Sequence, residues 1–185
     1  MTIKPPTQPP RPVPRVTSDD GSRPEASLPR ALTVEAQGIV GRRITLCVTG
    51  SVAAYKAAHI VRLLLAEGAV VDVVMTPAAR EFVGPATFTG LTGRPVFGEM
   101  FGPDLVGEPH VTLGKESDLV LVAPATADTL ARLATGRADD LCSALMLASG
   151  CPVVLAPAMH PTMWTHPATQ RNVVVLPHPL GPRKV

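Results

Sequence analysis

Strands and helices alternate along this chain in a pattern that predicts an α/β domain, a doubly wound parallel sheet in three layers. Three observations carry the prediction. Predominantly apolar runs recur at Ile44–Val48, Val70–Met75, Asp118–Ala123 and Cys151–Ala156, as strands buried on both faces require. Longer stretches with helical spacing and marked ends lie between them. The turns leaving the strands hold glycine, proline and small hydroxyl residues.

The elements follow in order. Met1–Arg30 holds eight of the 21 prolines and almost no bulky apolar residues. Such a segment favours extended, polyproline-like conformers and has nothing with which to build a core. The sequence therefore divides into a disordered proline-rich leader at residues 1–40 and a domain at 41–185. After the first strand, Ser51 suits an N-cap and Gly68 the residue just past a C-terminus, which predicts a helix over Val52–Glu67. The second strand, Val70–Met75, hands over to Thr76-Pro77, an N-cap followed by a proline at the first helical position. Phe82–Gly107 is rich in Gly, Pro and Thr and reads as a partly irregular excursion, with short elements near Ala86–Thr92 and Val96–Phe101. Asp118–Ala123 is the next strand, turning through Pro124–Thr129 into a helix that ends at Gly136. Another helix is expected over Asp139–Ser149, then the strand Cys151–Ala156. A short helix at Pro167–Asn172, capped by Thr165 or His166, precedes a last strand at Val173–Leu176. The closing PHPLGPRKV does not read as a packed domain end, which leaves truncation at the C-terminus open.

Composition narrows the function. With 185 residues the chain can bury one substantial core, and 45% hydrophobic against 17% charged content marks it as globular and somewhat apolar. A net charge of +2 and an aromatic content of 3% argue against a nucleic-acid partner, which would need a basic patch and stacking platforms. No apolar run is long enough to span a membrane and no signal-peptide core is present, so a cytoplasmic location is expected. Cys47, Cys142 and Cys151 have no CxxC spacing and sit in apolar surroundings, which suits buried, reduced thiols. No metal site is expected.

Three strand ends carry the chemistry. In open α/β sheets ligands gather beyond the carboxyl ends of the strands. Thr49-Gly50-Ser51, Thr76-Pro77 and the Pro124-Ala125-Thr126-Ala127-Asp128-Thr129 turn all fall there. Gly50 allows close backbone approach, and Ser51 opens a helix whose free N–H groups attract anions, so the turns read together as a phosphate and cofactor platform. Neither GxGxxG nor GxxxxGK[ST] occurs, so no nucleotide fingerprint narrows the ligand. Two histidines stand out from the five. His110 follows Glu108-Pro109 in an expected loop, and His160 lies in the proline-bracketed CPVVLAPAMHPTMW stretch. Histidine, with an ordinary pKa near ~6.5, is the natural acid–base candidate at either place. His59, His166 and His178 read as structural or solvated.

TGSVAAYKAAHIVRLL, VVMTPAAREFV, PHVTL, APATADTLARLATGRADDL and PAMHPTMWTHPATQRNV occur in that order. Together they resemble the flavin-dependent cysteine decarboxylases, which include phosphopantothenoylcysteine decarboxylase and the peptidyl-cysteine decarboxylases. The resemblance covers about Arg43–Val175. It implies a Rossmann-like, flavodoxin-type subunit that binds FMN and assembles as a homotrimer or dodecamer with active sites between subunits. It places Gly50, Ser51, Val52 and Thr76 near the flavin phosphate. Pro124, Ala125, Thr126, Ala127, Asp128 and Thr129 match the family's flavin-binding turn, with Asp128 where Asn is often found. Met159 matches a residue that touches flavin and substrate, and His110 matches the catalytic histidine.

The chemistry so implied is oxidation of a substrate's terminal cysteine to a thioaldehyde-like species, loss of its carboxylate as CO2, and release of an enethiol, with no metal needed. The substrate is expected to be 4′-phosphopantothenoylcysteine of coenzyme A synthesis; the alternative is a cysteine-terminated peptide. Two features depart from the pattern. The family commonly has Asn where this chain has His160, a position that holds the substrate carboxylate; an imidazole can donate the same hydrogen bond. The downstream cysteine flap that reduces the enethiol in many of these decarboxylases has no match.

Overall fold

Ile44, Leu46, Cys47 and Val48 are all buried in β1 (Arg43–Val48). A strand with no face to offer water has to lie between two neighbours and two helical layers. The computed structural model, which describes residues 38–101 and 107–176, places it so. Parallel partners flank β1 on both sides, β2 (Val70–Met75) and β4 (Leu119–Ala125). β3 (Val96–Phe97) extends the sheet beyond β2, and β5 (Val153–Pro157) extends it beyond β4. The order is β3-β2-β1-β4-β5, all parallel. Most of the expected leader, residues 1–37, and the tail with His178 lie outside the described residues.

The helices follow in chain order. A short 3-10 turn, Val52–Tyr55, leads into α1 (Lys56–Ala66). Then come α2 (Pro77–Arg80), α3 (Pro85–Thr92), α4 (Pro109–Glu116), α5 (Ala127–Ala134), α6 (Leu141–Ala148), α7 (Pro161–Trp164) and α8 (Pro167–Val175). Alternation along β1 sorts its side chains into two cores. Ile44, Leu46 and Val48 join Val61 of α1 and Phe88 of α3 on one face. Cys47 turns to the other face and joins Leu113 of α4, Leu130 of α5, and Leu141 and Leu145 of α6. Helices on both faces of one sheet make the three expected layers.

Several expectations need correction. Val173–Leu176 is not a strand: α8 runs on to Val175, held by its His166 cap and by Val173 packing on the second core, which outweighs the β-branched residues' local preference. Pro124 and Ala125 belong to β4, so the turn begins two residues later, at Thr126. Asp139 and Asp140 precede α6; Asp140 caps it through Ser143 N–H at 2.7 Å. β5 is an edge strand, not a fully buried one, and Val154 is 46% exposed. His110 sits in the first turn of α4, not in a loop, because Pro109 takes the first helical position, where a missing N–H costs nothing.

Two close fits set the geometry of the helical layers. Asp72 of β2 is buried and bridges Arg43 at 3.1 Å and Arg94 at 2.7 Å, which ties the approach to β3 onto the sheet. Gly114 lets α4 lie directly on the end of α6. A Cβ there would come within 2.9 Å of the Ala148 carbonyl oxygen and 3.1 Å of its carbon, both backbone atoms. Gly114→Ala should therefore lift α4 from α6 and cost about 1–3 kcal/mol, the usual range for overpacking. Denaturant unfolding checks this, and an unchanged midpoint would show that the contact is absent in solution.

Candidate functional site

The sheet order reverses between β1 and β4, so a crevice opens beyond their carboxyl ends. Thr49, just past β1, is buried, and its hydroxyl donates to the Pro124 carbonyl at 2.5 Å, joining the two strand ends. Gly50 then lies against α2, so close that an added Cβ would overlap the Ala78 methyl. Ser51 caps the 3-10 turn, its hydroxyl accepting from Ala53 N–H at 3.2 Å. Thr76 caps α2 by accepting from Ala79 N–H, also at 3.2 Å. Thr126 caps α5 by accepting from Thr129 N–H at 3.2 Å, and the two hydroxyls are 2.9 Å apart. Two capped helical starts, those of α2 and α5, thus line one crevice, with the Ser51 cap adjoining it through Gly50.

A cavity of about 430 Å³ occupies this crevice. That volume is in the range of small-molecule sites, roughly 300–1,000 Å³. Thr49, Gly50, Thr76, Pro77 and Ala78 form one wall; Thr126, Asp128, Thr129 and Arg132 of the α5 segment form the floor. Asp139, Asp140, Cys142, Ser143 and Met146 of the α6 segment form the opposite wall.

Of the residues expected to hold a cofactor, Gly50, Thr76, Thr126, Asp128 and Thr129 line the cavity. Ser51, Val52, Pro124, Ala125 and Ala127 adjoin these along the chain but are not in the lining, and Val52 is exposed. The α6 wall and Arg132 were missed. The signal was there in Asp140-x-x-Ser143, the spacing of a capping box that opens a helix toward the same edge.

Charge is concentrated on Arg132. Its guanidinium reaches Asp128 at 2.8 Å, Asp139 at 2.6 Å and Asp140 at 3.5 Å. The hydrogen bond to Asp128 raises the Arg132 pKa further, against some desolvation. Desolvation pushes Asp139 upward, yet Arg137 and Arg132 together hold it below its ordinary value. All three cysteines are buried and unbridged. The Cys142 thiol is pushed well up by its hydrogen bond with Cys47 and by burial, so it stays protonated at neutral pH.

The remaining candidates lie elsewhere. Met159, with Pro157, Ala158 and Trp164, lines a second, more open cavity of about 330 Å³ beyond β5. His160 caps α7: its Nδ1 is 2.8 Å from the Thr162 hydroxyl and accepts from Thr162 N–H at 3.3 Å. It is exposed and lines neither cavity. His110 also lines neither, and its Nδ1 is buried with no hydrogen-bond partner among the described residues. Among those residues, no group of three or more His, Cys, Asp or Glu is placed to hold a metal ion. No described helix is long and apolar enough to cross a membrane.

An all-parallel sheet with its reversal between β1 and β4, and a cavity at that reversal, defines a doubly wound protein of the Rossmann and flavodoxin type. Comparison with known proteins narrows the class. The flavoprotein family profile matches residues 33–184, and the chain belongs to that family. The coenzyme A biosynthesis bifunctional protein CoaBC of Mycobacterium bovis is 51% identical over 137 residues, covering 74% of this chain and 32% of that protein. The chain thus spans about a third of the length of the curated relatives it matches. The crystal structure of the FMN-dependent cysteine decarboxylase SpaF superposes with a TM-score of 0.70 at 36% identity, covering 75% of this chain and 80% of that one. A PPC decarboxylase solved with pantothenoylaminoethenethiol gives a TM-score of 0.64 at 27% identity, covering 74% and 77%.

Proposed function

We propose that this chain is an FMN-dependent decarboxylase that removes CO2 from the C-terminal cysteine of 4′-phosphopantothenoylcysteine. The observation that carries the substrate assignment is the 51% identity to a coenzyme A biosynthesis protein, against 36% to SpaF. A cavity of about 430 Å³ lined by the Gly50, Thr76 and Thr126–Thr129 segments supports a phosphate-bearing cofactor. Gly50 is stripped to its backbone where the turn meets α2, and the hydroxyls of Thr49, Thr76, Thr126 and Thr129 surround the space. We assign Gly50, Ser51, Val52 and Thr76 to the phosphate end, and the Pro124–Thr129 segment and Met159 to the rest of the cofactor.

Bound FMN would supply the two-electron oxidation of the cysteine that makes its carboxylate a leaving group. The protein's share is to exclude water, hold the carboxylate and manage one proton. We assign the proton to His110, whose Nδ1 has no hydrogen-bond partner among the described residues. His110 lies outside the cavity lining, which fits a site completed by a neighbouring subunit, and we propose a homotrimer or dodecamer. Leu147, Val154, Met163, Trp164 and Val174 are exposed apolar side chains that such assembly would cover. The reaction, on a small soluble thiol, suits a cytoplasmic enzyme.

We assign the carboxylate to His160. Its ring is already fixed by Thr162 through Nδ1, which leaves Nε2 as the outward donor. An Asn at this place can cap α7 in the same way and present an amide N–H. His160→Asn should therefore keep turnover within about threefold, whereas His160→Leu should raise KM at least about tenfold by removing a charge-assisted hydrogen bond. Steady-state kinetics decide it; equal behaviour of the two variants would remove His160 from the site.

The second reading is decarboxylation of a cysteine-terminated peptide, the alternative that the sequence resemblance leaves open. Purification, an absorbance spectrum and mass spectrometry on both substrates separate the two. Turnover of phosphopantothenoylcysteine supports the first, and activity confined to the peptide replaces it with the second.

A further inference from the structure

The cavity facing Gly50 carries an excess of acid. Asp128, Asp139 and Asp140 line it, and Arg132 is the one cation among the described residues of that lining. The three carboxylates are not equally provided for. Asp139 has a second cation, Arg137, at 2.6 Å. Asp140 accepts from Ser143 N–H at 2.7 Å as the cap of α6. Among the described residues, Asp128 pairs with Arg132 alone, at 2.8 Å. Yet Asp128 lies in the first turn of α5, beside Thr126 and Thr129, where the helix's free N–H groups favour an anion. A fixed carboxylate thus shares the cavity with the Gly50 and Thr76 segments assigned to the phosphate.

We propose that Arg132 is a charge-compensating positioning residue of the cofactor cavity: by pairing with Asp128 it offsets a carboxylate that shares the cavity with the Gly50 and Thr76 segments assigned to the phosphate, and so makes the site prefer the phosphorylated flavin to its dephosphorylated form. The inference rests on the flavin reading above and deepens it. Arg132 also bridges α5 to the residues before α6 through Asp139 and Asp140, so the neutralising group is locked in place. Removing it would leave Arg137, which lies outside the lining, as the nearest counter-charge for three carboxylates. Repulsion of a phosphate would follow, moderated by solvent because the Asp128 side chain is 72% exposed, and weakened further by salt.

The test is fluorescence titration of the full chain, freed of flavin, with FMN and with riboflavin, at about 0.02 and 0.5 M salt. Arg132→Gln should raise the Kd for FMN about tenfold at low salt and change that for riboflavin less than about twofold, with the gap narrowing at high salt. The double variant Asp128→Asn with Arg132→Gln should return FMN affinity to within about threefold of the parent. Equal weakening of both flavins would make Arg132 a structural strut and overturn the proposal, as would unchanged FMN affinity or a gap indifferent to salt. Should Arg132→Gln fail to fold, Asp128→Asn alone decides. Tightening of FMN by about threefold with riboflavin unmoved supports the proposal, and any other result overturns it. A parent protein that binds neither flavin overturns the cofactor reading itself, whereas FMN binding that the variants leave unmoved overturns this inference alone.

Discussion

His110→Asn should leave flavin binding and folding intact while lowering CO2 release by at least about a hundredfold, the lower end of what a positioned acid–base group contributes. The physical case rests on where the ring sits. Pro109 starts α4 without needing its N–H, and His110 follows in the first turn, with Leu113 and Gly114 packing the helix against the second core and α6. The helix is thus anchored one turn beyond the histidine, and the ring's Nδ1 has no hydrogen-bond partner among the described residues. Asn preserves the polarity and approximate reach of that atom but cannot accept and return a proton near neutral pH. The substitution removes chemistry and leaves packing. Three measurements decide it together: the flavin absorbance spectrum, the unfolding midpoint and the rate of CO2 release. A variant with normal flavin content and normal turnover would take His110 out of the mechanism. Loss of flavin along with activity would point to a structural role.

How much of this was legible beforehand depends on which interactions are local. The sheet's class was readable because strands buried on both faces must be apolar, and VVDVVM and DLVLVA are nearly so. The caps at Ser51 and Thr76 were readable because a hydroxyl just before a helix has one obvious use, whereas Thr126 was placed only within its turn. Strand order was not, since nothing local in Leu119–Ala125 says that it lies beside β1. Val173–Leu176 looked like a strand because β-branched residues favour one, yet the described sheet already ends at β5 and α8 winds on to Val175. Arg132 was invisible for a related reason. Its bond to Asp128 is a plain helical pairing, but those to Asp139 and Asp140 depend on the turn after Thr135 bringing the chain back. His160 was found by its loop, while its capping of α7 through Thr162 emerged only from the coordinates.

Gly50→Val should destabilise the domain by about 1–3 kcal/mol and cost the site most of its flavin, because here the fold and the cavity share one contact. An added Cβ would overlap the Ala78 methyl and stand 3.0 Å from the Ala78 carbonyl carbon and 3.2 Å from its oxygen. The methyl could be removed; the backbone could not. Nor can α2 retreat, since Ala79 is fully buried in the first core and Thr76 fixes the start of the helix. The turn itself would have to move, and it is held by the bond from Thr49 to the Pro124 carbonyl at the head of the α5 turn. Displacement at Gly50 therefore spreads to the residues around Thr126, on the far side of the same cavity. The compensating substitution tests that chain of contacts. Adding Ala78→Gly to Gly50→Ala removes the worst overlap but leaves the carbonyl contact, and it adds the roughly 1 kcal/mol cost of glycine in a helix. Flavin affinity should then recover only in part, with stability still below the parent's. Full recovery of both would mean that the two methyl groups alone conflict, and that the turn's backbone has room the coordinates do not show. Gly50→Ala with unchanged affinity and midpoint would mean that the close approach of the turn to α2 does not hold the cavity open.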